Sequence, residues 1–262
     1  MTPVLSRGPA WSSWHTSAEM VRPPRAVLVP VGAVEQHGPH LPIGTDCWIA
    51  TEVAAAVAAH RPDVLVGEPL PYGCSAHHRA FPGTVSLKVR TFIDVVCDVA
   101  RCLHEDGLIP IFINGHGGNR GPLQSAAQAL LEENVPVWAM SYFDLVRDEA
   151  LSTFDAASMG HACALETSLM LHLWPDSVGP TGQIVPGGQG RWPDVSMYPP
   201  TAGDSVIHPI PFDQLDHNGV VGAPNEATPD HGCDLFASSV RRVGEAVDRI
   251  LADAVEEGAR HV

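Results

Sequence analysis

Short unbroken apolar runs alternate with longer stretches in which apolar and polar residues share a helical period. Ala26–Val31 (AVLVPV) is the first such run, the pattern of a strand covered on both faces. Others follow at Val64–Val66, Leu108–Ile113 and Val135–Met140. Between them, the Ala- and Val-rich stretch from about Asp46 to Ala59 and the amphipathic stretches near Thr91–His104 and Gly121–Glu133 predict helices. Strands alternating with helices predict an α/β fold, a three-layer α/β/α sandwich with a mostly parallel central sheet. A further helix beginning near Ala162 carries Leu165, Leu169 and Leu173 on one face and is stopped by Pro175. Thr228-Pro229-Asp230 supplies a capping hydroxyl, a proline at the first helical position and an acid at the positive end, so a terminal helix is expected to run to about Glu257.

Two segments break the alternation. Residues 1–25 are polar and irregular, an N-terminal extension expected to be pinned to the body by Trp11 and Trp14. Residues 179–211 are dense in Gly and Pro without a period, which predicts a long surface excursion, either a lid or a subunit contact. With 262 residues, 45% of them hydrophobic, the remainder suits one domain spanning 1–262. The formal charge of −15 argues against phosphate backbones and anionic lipid, so neither nucleic acid nor membrane is an expected partner. Six cysteines without a C-x-x-C pair read as reduced, mostly buried thiols. No signal-like start or apolar run of membrane-spanning length is visible, which makes the cytoplasm the expected compartment.

The chemistry concentrates where apolar runs end. The first strand leads into Val34-Glu35-Gln36-His37-Gly38, in which residues two apart point to the same side, so Glu35 and His37 can face one site. Gly44-Thr45-Asp46 then sets a second carboxylate at a helix start. The run Leu108–Ile113 discharges into Asn114-Gly115-His116-Gly117-Gly118-Asn119, bringing an imidazole from another strand tip. Strand carboxyl ends are where open α/β sheets form their sites. Glu35, His37, Asp46 and His116 contain no thiol, so together they suit Zn²⁺, Mn²⁺ or Fe²⁺; singly, each histidine is better explained by capping a turn or satisfying a buried carbonyl. His161 and Glu166 add a base and a carboxylate. Five residues in a helix are about 140° out of phase, so the pair can share a site only if His161 precedes the helix and Glu166 lies within it. Glu166 then reads either as a further ligand or as a first-turn acid that steadies the helix dipole.

Glu35-Gln36-His37-Gly38-Pro39-His40-Leu41-Pro42, Gly44-Thr45-Asp46 and Asn114-Gly115-His116-Gly117-Gly118-Asn119 together resemble the creatininase family of amidohydrolases. His78 before Phe81-Pro82-Gly83-Thr84, Glu166-Thr167-Ser168 and Asn218-Gly219-Val220-Val221-Gly222 extend the resemblance over about residues 25 to 250. The resemblance implies an α/β/α fold, two divalent ions per chain, Zn²⁺ foremost with Mn²⁺ or Fe²⁺ as alternatives, and a homohexamer. It implies that Asp46 bridges the ions, with Glu35 and His116 on one and His37 on the other. Members acting on creatinine carry a glutamate ligand two residues after the motif histidine, where this chain has Gly118. That departure counts against creatinine, makes Glu166 the candidate replacement, and aligns the chain with branches that include a mycofactocin-maturation peptidase and a formamidopyrimidine deformylase.

The expected activity is hydrolysis of an amide, cyclic amide or formamide C–N bond in a small-molecule substrate by a metal-bound hydroxide. The alternatives are a peptidase for a short or modified peptide, and a non-catalytic metal-stabilised oligomer. The resemblance, which places a catalytic histidine in an equivalent stretch, makes His161 the expected proton shuttle to the departing nitrogen, with Glu166 beside it as a catalytic acid or ligand. His78 either touches substrate or is structural, and Gly187, Gly188 and Trp192 either shape specificity or merely belong to a surface excursion. Cys74, Ser75 and His77 form a nucleophile-like cluster without a G-x-S-x-G elbow. The Gly115–Asn119 turn could cradle phosphate, but it lacks the dinucleotide and Walker patterns.

Overall fold

The computed structural model describes residues 10–20, 26–182 and 210–260, with backbone alone for 14, 18 and 255–260. Four strands form one parallel sheet in the order β2-β1-β3-β4: β1 Ala26–Val31, β2 Val64–Val66, β3 Ile109–Asn114 and β4 Trp138–Ser141. Helices cover both faces, as the unbroken apolar strands require. Ala26 and Leu28 of β1, with Ile109, Ile111 and Ile113 of β3, pack on α1 (Thr45–Ala58) and on two helices from the second half of the chain. Val27, Val29 and Val31, with Phe112, pack on α2 (Val89–Glu105) and α3 (Arg120–Glu132). Each fully buried aliphatic side chain contributes roughly 1.5–3 kcal/mol, so the strand tips are fixed by a core on either side.

Two short helices, α4 (Tyr142–Leu145) and α5 (Arg147–Thr153), follow β4. Then come α6 (Ala164–Leu173) and α7 (Pro229–Arg260), which pack together on the α1 face. The helix expected from Ala162 starts two residues later, because Ala162 has a left-handed backbone (φ 52°) that cannot join an α-helix. Pro175 ends it as expected and opens a 3-10 turn. Strand β4 begins at Trp138 rather than Val135: its ladder with β3 starts at the pair Ile111↔Trp138, and Pro136 has no N–H to extend it. Trp11 is buried and bridges to Val66, pinning the N-terminal segment, while the Trp14 side chain lies outside the described residues. Four of the six cysteines are buried and none is in a disulfide. No helix among the described residues is long and apolar enough to cross a membrane.

Topology places the site. Strands β1 and β3 are neighbours and end level, at the pair Val31↔Asn114. From their tips the chain departs to opposite faces, into α1 after β1 and α3 after β3. That divergence opens the crevice in which doubly covered parallel sheets carry their ligands.

Candidate metal centre

The two loops that leave these tips carry the carboxylates and imidazoles. After β1 the chain runs through Glu35, Gln36 and His37 before turning into α1, where Asp46 is the second helical residue. Gly115, the first residue after β3, packs directly on that turn: a Cβ there would fall 2.2 Å from the Asp46 carbonyl oxygen. This close approach brings His116 against Asp46 and Glu35. His116 Nδ1 lies 3.1 Å from Asp46 Oδ2 and 3.2 Å from Glu35 Oε1. His37 Nε2 lies 2.9 Å from Asp46 Oδ1. Glu35 and His37 are fully buried, and Asp46 and His116 are nearly so.

The backbone fixes how these rings present themselves. A carbonyl oxygen only accepts, so the ring nitrogen beside it must hold the proton. His37 Nδ1 donates to Glu35 O at 3.1 Å, His116 Nε2 to Cys74 O at 3.1 Å and His161 Nε2 to Gln36 O at 2.7 Å. In the neutral rings the remaining nitrogens, His37 Nε2, His116 Nδ1 and His161 Nδ1, therefore turn lone pairs toward the carboxylates. His161 Nδ1 stands 3.7 Å from Glu35 Oε1. Both Glu35 carboxylate oxygens and Asp46 Oδ2 are buried and receive no hydrogen bond; the imidazole nitrogens near them are within ionic range but outside hydrogen-bond geometry.

Buried anionic oxygens facing nitrogen lone pairs at about 3 Å are strongly unfavourable unless the rings take up protons or a metal cation lies among them. Two ligands of one ion with bonds of about 2.0–2.2 Å sit roughly 2.8–3.6 Å apart for bond angles of about 90–110°, and the His37–Asp46, His116–Asp46 and His116–Glu35 contacts of 2.9, 3.1 and 3.2 Å fall in that range. Three overlapping groups each bring one donor atom per residue within 4.8 Å of one another: Glu35, His37 and His161; His37, Asp46 and Glu166; and Glu35, His77 and His116. The residues thus fit divalent metal, through an oxygen and imidazole donor set suited to Zn²⁺ or Mn²⁺.

The electrostatics of the ion-free protein have the same origin. Burial disfavours charge on His37, yet Asp46 beside it outweighs burial and pushes its pKa up to about 9. His116 is likewise held well above its ordinary value, because Glu35 and Asp46 outweigh burial, and Asp46 is correspondingly held down by the two imidazoles. Glu166 is pushed up to about 7, mainly by burial. His161 is pushed well below its ordinary value by burial and by the charge on His37.

His161 precedes α6 and Glu166 lies in its first turn, the arrangement that lets both face one site. His161 is pinned there by a two-bond bridge with Val221 in the Asn218–Gly222 segment. Glu166 Oε2 accepts the Cys163 N–H at 3.3 Å, so the same carboxylate that reaches His37 and Asp46 also caps the helix. His78 is buried; Gln36 Nε2 donates to its Nδ1 at 2.8 Å, and its Nε2 faces Glu35 Oε1 at 3.2 Å. Gly187, Gly188 and Trp192 lie outside the described residues.

Sequence reasoning passed over three contributors. Gln36 links both sides of the crevice, since its side chain also donates to Gly219 O at 2.9 Å and its backbone N–H donates to Thr84 Oγ1 at 3.1 Å. Phe212 lays its ring against His77, His78 and His161, with centroids 4.0–5.4 Å away. His77 belongs to the donor groups above, whereas its neighbours in sequence had suggested only a nucleophile-like cluster with Cys74 and Ser75. The rivals fare poorly. The Cys74 thiol is pushed up by burial, which suppresses a thiolate, and Ser75 Oγ is 3.4 Å from a His116 nitrogen already donating to a carbonyl. Buried carboxylates beside the Gly115–Asn119 turn would repel phosphate.

Similarity to known proteins runs along most of the chain. The creatininase family model, described as creatinine amidohydrolase, matches residues 10–247. A mycofactocin precursor peptide peptidase of Mycolicibacterium smegmatis is 33% identical over 235 residues, covering 87% of this chain and 86% of that protein. A creatinine amidohydrolase of Pseudomonas putida is 31% identical over 240 residues, covering 84% and 88%. A solved structure described as "Creatininase Mn" shares the fold with a TM-score of 0.75 and 26% identity, over 92% of this chain and 98% of that one.

Proposed function

The chain belongs to the creatininase family, and on that premise we propose that it is a metal-dependent amidohydrolase cleaving a C–N bond of a small amide, cyclic amide or formamide. The observation that carries this reading is the set of unpartnered, buried Glu35 and Asp46 oxygens ringed by imidazole lone pairs. We propose two ions per chain, Zn²⁺ foremost with Mn²⁺ or Fe²⁺ as alternatives. Asp46 would be shared between them, Glu35 and His116 would hold one, and His37 with Glu166 the other. When bound, such ions acidify water and polarise a carbonyl oxygen.

The rest of the chemistry falls to the protein. His161 would take a proton and pass it to the departing nitrogen, a role supported by its keeping one ring nitrogen on the Gln36 carbonyl while the other faces Glu35 at 3.7 Å. Gln36 and His78 lock Glu35 from behind, which favours a positioning role for His78 over contact with substrate. The rim is formed by Gly117, Gly118, His77 and Glu166, the less buried members of the site, and substrate would enter over them.

A second reading, a peptidase for a short or modified peptide, gains weight from Gly118, which stands where the resemblance expects glutamate in creatinine-acting members, and from the similarity to the mycobacterial peptidase. We also propose a homo-oligomer, hexameric by resemblance, with the exposed Ile43, Trp48 and Val85 at subunit contacts; its mass in solution tests this. Metal-loaded protein presented with creatinine, cyclic amides, formamides and short peptides, with products read by mass spectrometry, separates the readings. No turnover of any of these by protein that holds its ions would count for a non-catalytic oligomer.

A further inference from the structure

We propose that His77 is a metal ligand, joining Glu35, His116 and the shared Asp46 as a fourth protein donor to one ion, with water or substrate completing its coordination. The inference rests on the metal-binding reading above and adds a residue to it. One donor atom from each of His77, Glu35 and His116 lies within 4.8 Å of the other two. His77 arrives from a separate element, the 3-10 turn Ala76–His78 that follows β2, so its presence in the crevice depends on how that turn is held.

The holding is done by the Gly-Gly-Asn turn after β3. Asn119 Oδ1 accepts the Cys74 N–H at 2.9 Å, Asn119 Nδ2 donates to Gly32 O at 3.0 Å, and His116 Nε2 donates to Cys74 O at 3.1 Å. These bonds fasten the segment before His77 across the tips of β1 and β3. The His77 ring then lies parallel to that of His116, with centroids 5.5 Å apart and planes within 3°, while Phe212 packs 5.4 Å away. Of the six histidines gathered here, namely 37, 40, 77, 78, 116 and 161, His77 alone makes no ring hydrogen bond to the described residues. It is a rim imidazole with both nitrogens uncommitted.

Gly118 makes this arrangement possible. A Cβ at 118 would fall 2.4 Å from Cys74 O, 2.5 Å from His116 Nε2 and 2.8 Å from His77 Cε1. The first of these neighbours is backbone and cannot swing aside, so any side chain at 118 would lift the His77 turn. A carboxylate at 118 and an imidazole at 77 are therefore alternative ways of supplying a donor from this side of the crevice. Gly118 clears the space and Asn119 binds the turn that fills it.

The test compares wild-type protein with His77→Ala, both purified without chelator. Metal content is measured by mass spectrometry, affinity by competition with a chromophoric chelator, and coordination by the visible spectrum of Co²⁺-loaded protein, none of which needs turnover. The expected result is that His77→Ala retains the ion held by His37, Asp46 and Glu166, binds the other at least about 100-fold more weakly, and shows an altered Co²⁺ spectrum. Free imidazole is expected to restore the spectrum of His77→Gly by filling the vacated position. Two ions at unchanged affinity and an unchanged Co²⁺ spectrum in His77→Ala would overturn the assignment, and so would loss of both ions in His77→Gly without imidazole rescue, which marks a packing role. Wild-type protein that binds no ion would instead overturn the metal reading itself.

Discussion

Chelator-treated protein should be most stable near pH 6.5 and should weaken as the pH rises toward 9. In the ion-free site His37 titrates at about 9 instead of 6.5, because Asp46 outweighs burial, and His116 is raised for the same kind of reason. A group whose folded pKa is raised contributes stability that is complete below its unfolded value, here 6.5, and is lost as the pH climbs through the folded value. For His37 alone, a change from 6.5 to about 9 corresponds to about 3 kcal/mol. On the acid side the sign reverses. His40 and His77 are lowered to about 4 by burial and by neighbouring imidazoles, and His78 and His161 are also held well below their ordinary value by burial and neighbouring imidazoles, so the unfolded chain binds more protons below 6.5 and stability rises with pH up to that point. Glu166, raised to about 7, opposes that rise between 4.5 and 7, but as one group against four. Metal-loaded protein should behave oppositely above neutrality, since ion binding needs neutral imidazoles and ionised carboxylates. Urea and thermal unfolding across about pH 5 to 9, with and without Zn²⁺, reads both curves; the loss of about 3 kcal/mol should lower Tm by roughly 6–12 °C. Asp46→Asn should flatten the alkaline limb. A chelated protein whose stability holds level or rises from pH 6.5 to 9 would refute the reasoning.

Other expectations follow from single contacts. Asp46→Ala should lose both ions and all activity, and retention of one ion would show that Asp46 is not shared. His161→Ala should keep its ions while kcat falls about 10²–10⁴-fold; loss of an ion instead would make His161 a ligand, and full activity would end its role as shuttle. Gly115→Ala places a methyl 2.2 Å from the Asp46 carbonyl oxygen with backbone on both sides, so it should cost about 1–3 kcal/mol or more and reduce metal content together with Tm. Unchanged values of both would mean that the approach of the two loops does not set the site.

Much of the architecture was legible because the core is covered on two faces. A strand packed on both sides must be apolar at every position, and Ala26–Val31 and Leu108–Ile113 are, so their ends could be located within a residue or so. From there the chemistry followed: the residues just past a parallel strand lie at its carboxyl end, and Glu35, His37 and His116 fall there. The edges that shifted have local causes invisible to periodicity, namely the missing N–H of Pro136 and the left-handed backbone of Ala162. What could not be read is which loop crosses which. The Cys74–His116 and Asn119–Cys74 bonds join residues more than 40 apart, and only the register of β1, β2 and β3 decides that these segments meet. Hence His77 passed as part of a nucleophile-like cluster, and Glu166 was left between two roles that turn out to be compatible, since one carboxylate caps α6 and faces His37.

The backbone offers a further reason to read these histidines as more than core packing. A buried histidine that merely neutralises a carboxylate does so best by pointing an N–H at it. In their neutral forms three histidines here do the reverse. His37, His116 and His161 each commit one N–H to a backbone carbonyl, and each turns its other nitrogen toward Glu35 or Asp46. Three separate segments, after β1, after β3 and before α6, thus converge on the same tautomeric choice, the one that exposes a lone pair to an acid. With no cation the choice can be relieved only by adding protons, and the raised pKa values of His37 and His116 record that relief. With a cation, the same lone pairs and the unpartnered carboxylate oxygens become ligands, and no rearrangement of backbone is required. The alkaline weakening of chelated protein and the strength of ion binding are therefore two measures of one preorganisation. A variant that abolishes the first while leaving the protein folded should weaken the second in proportion.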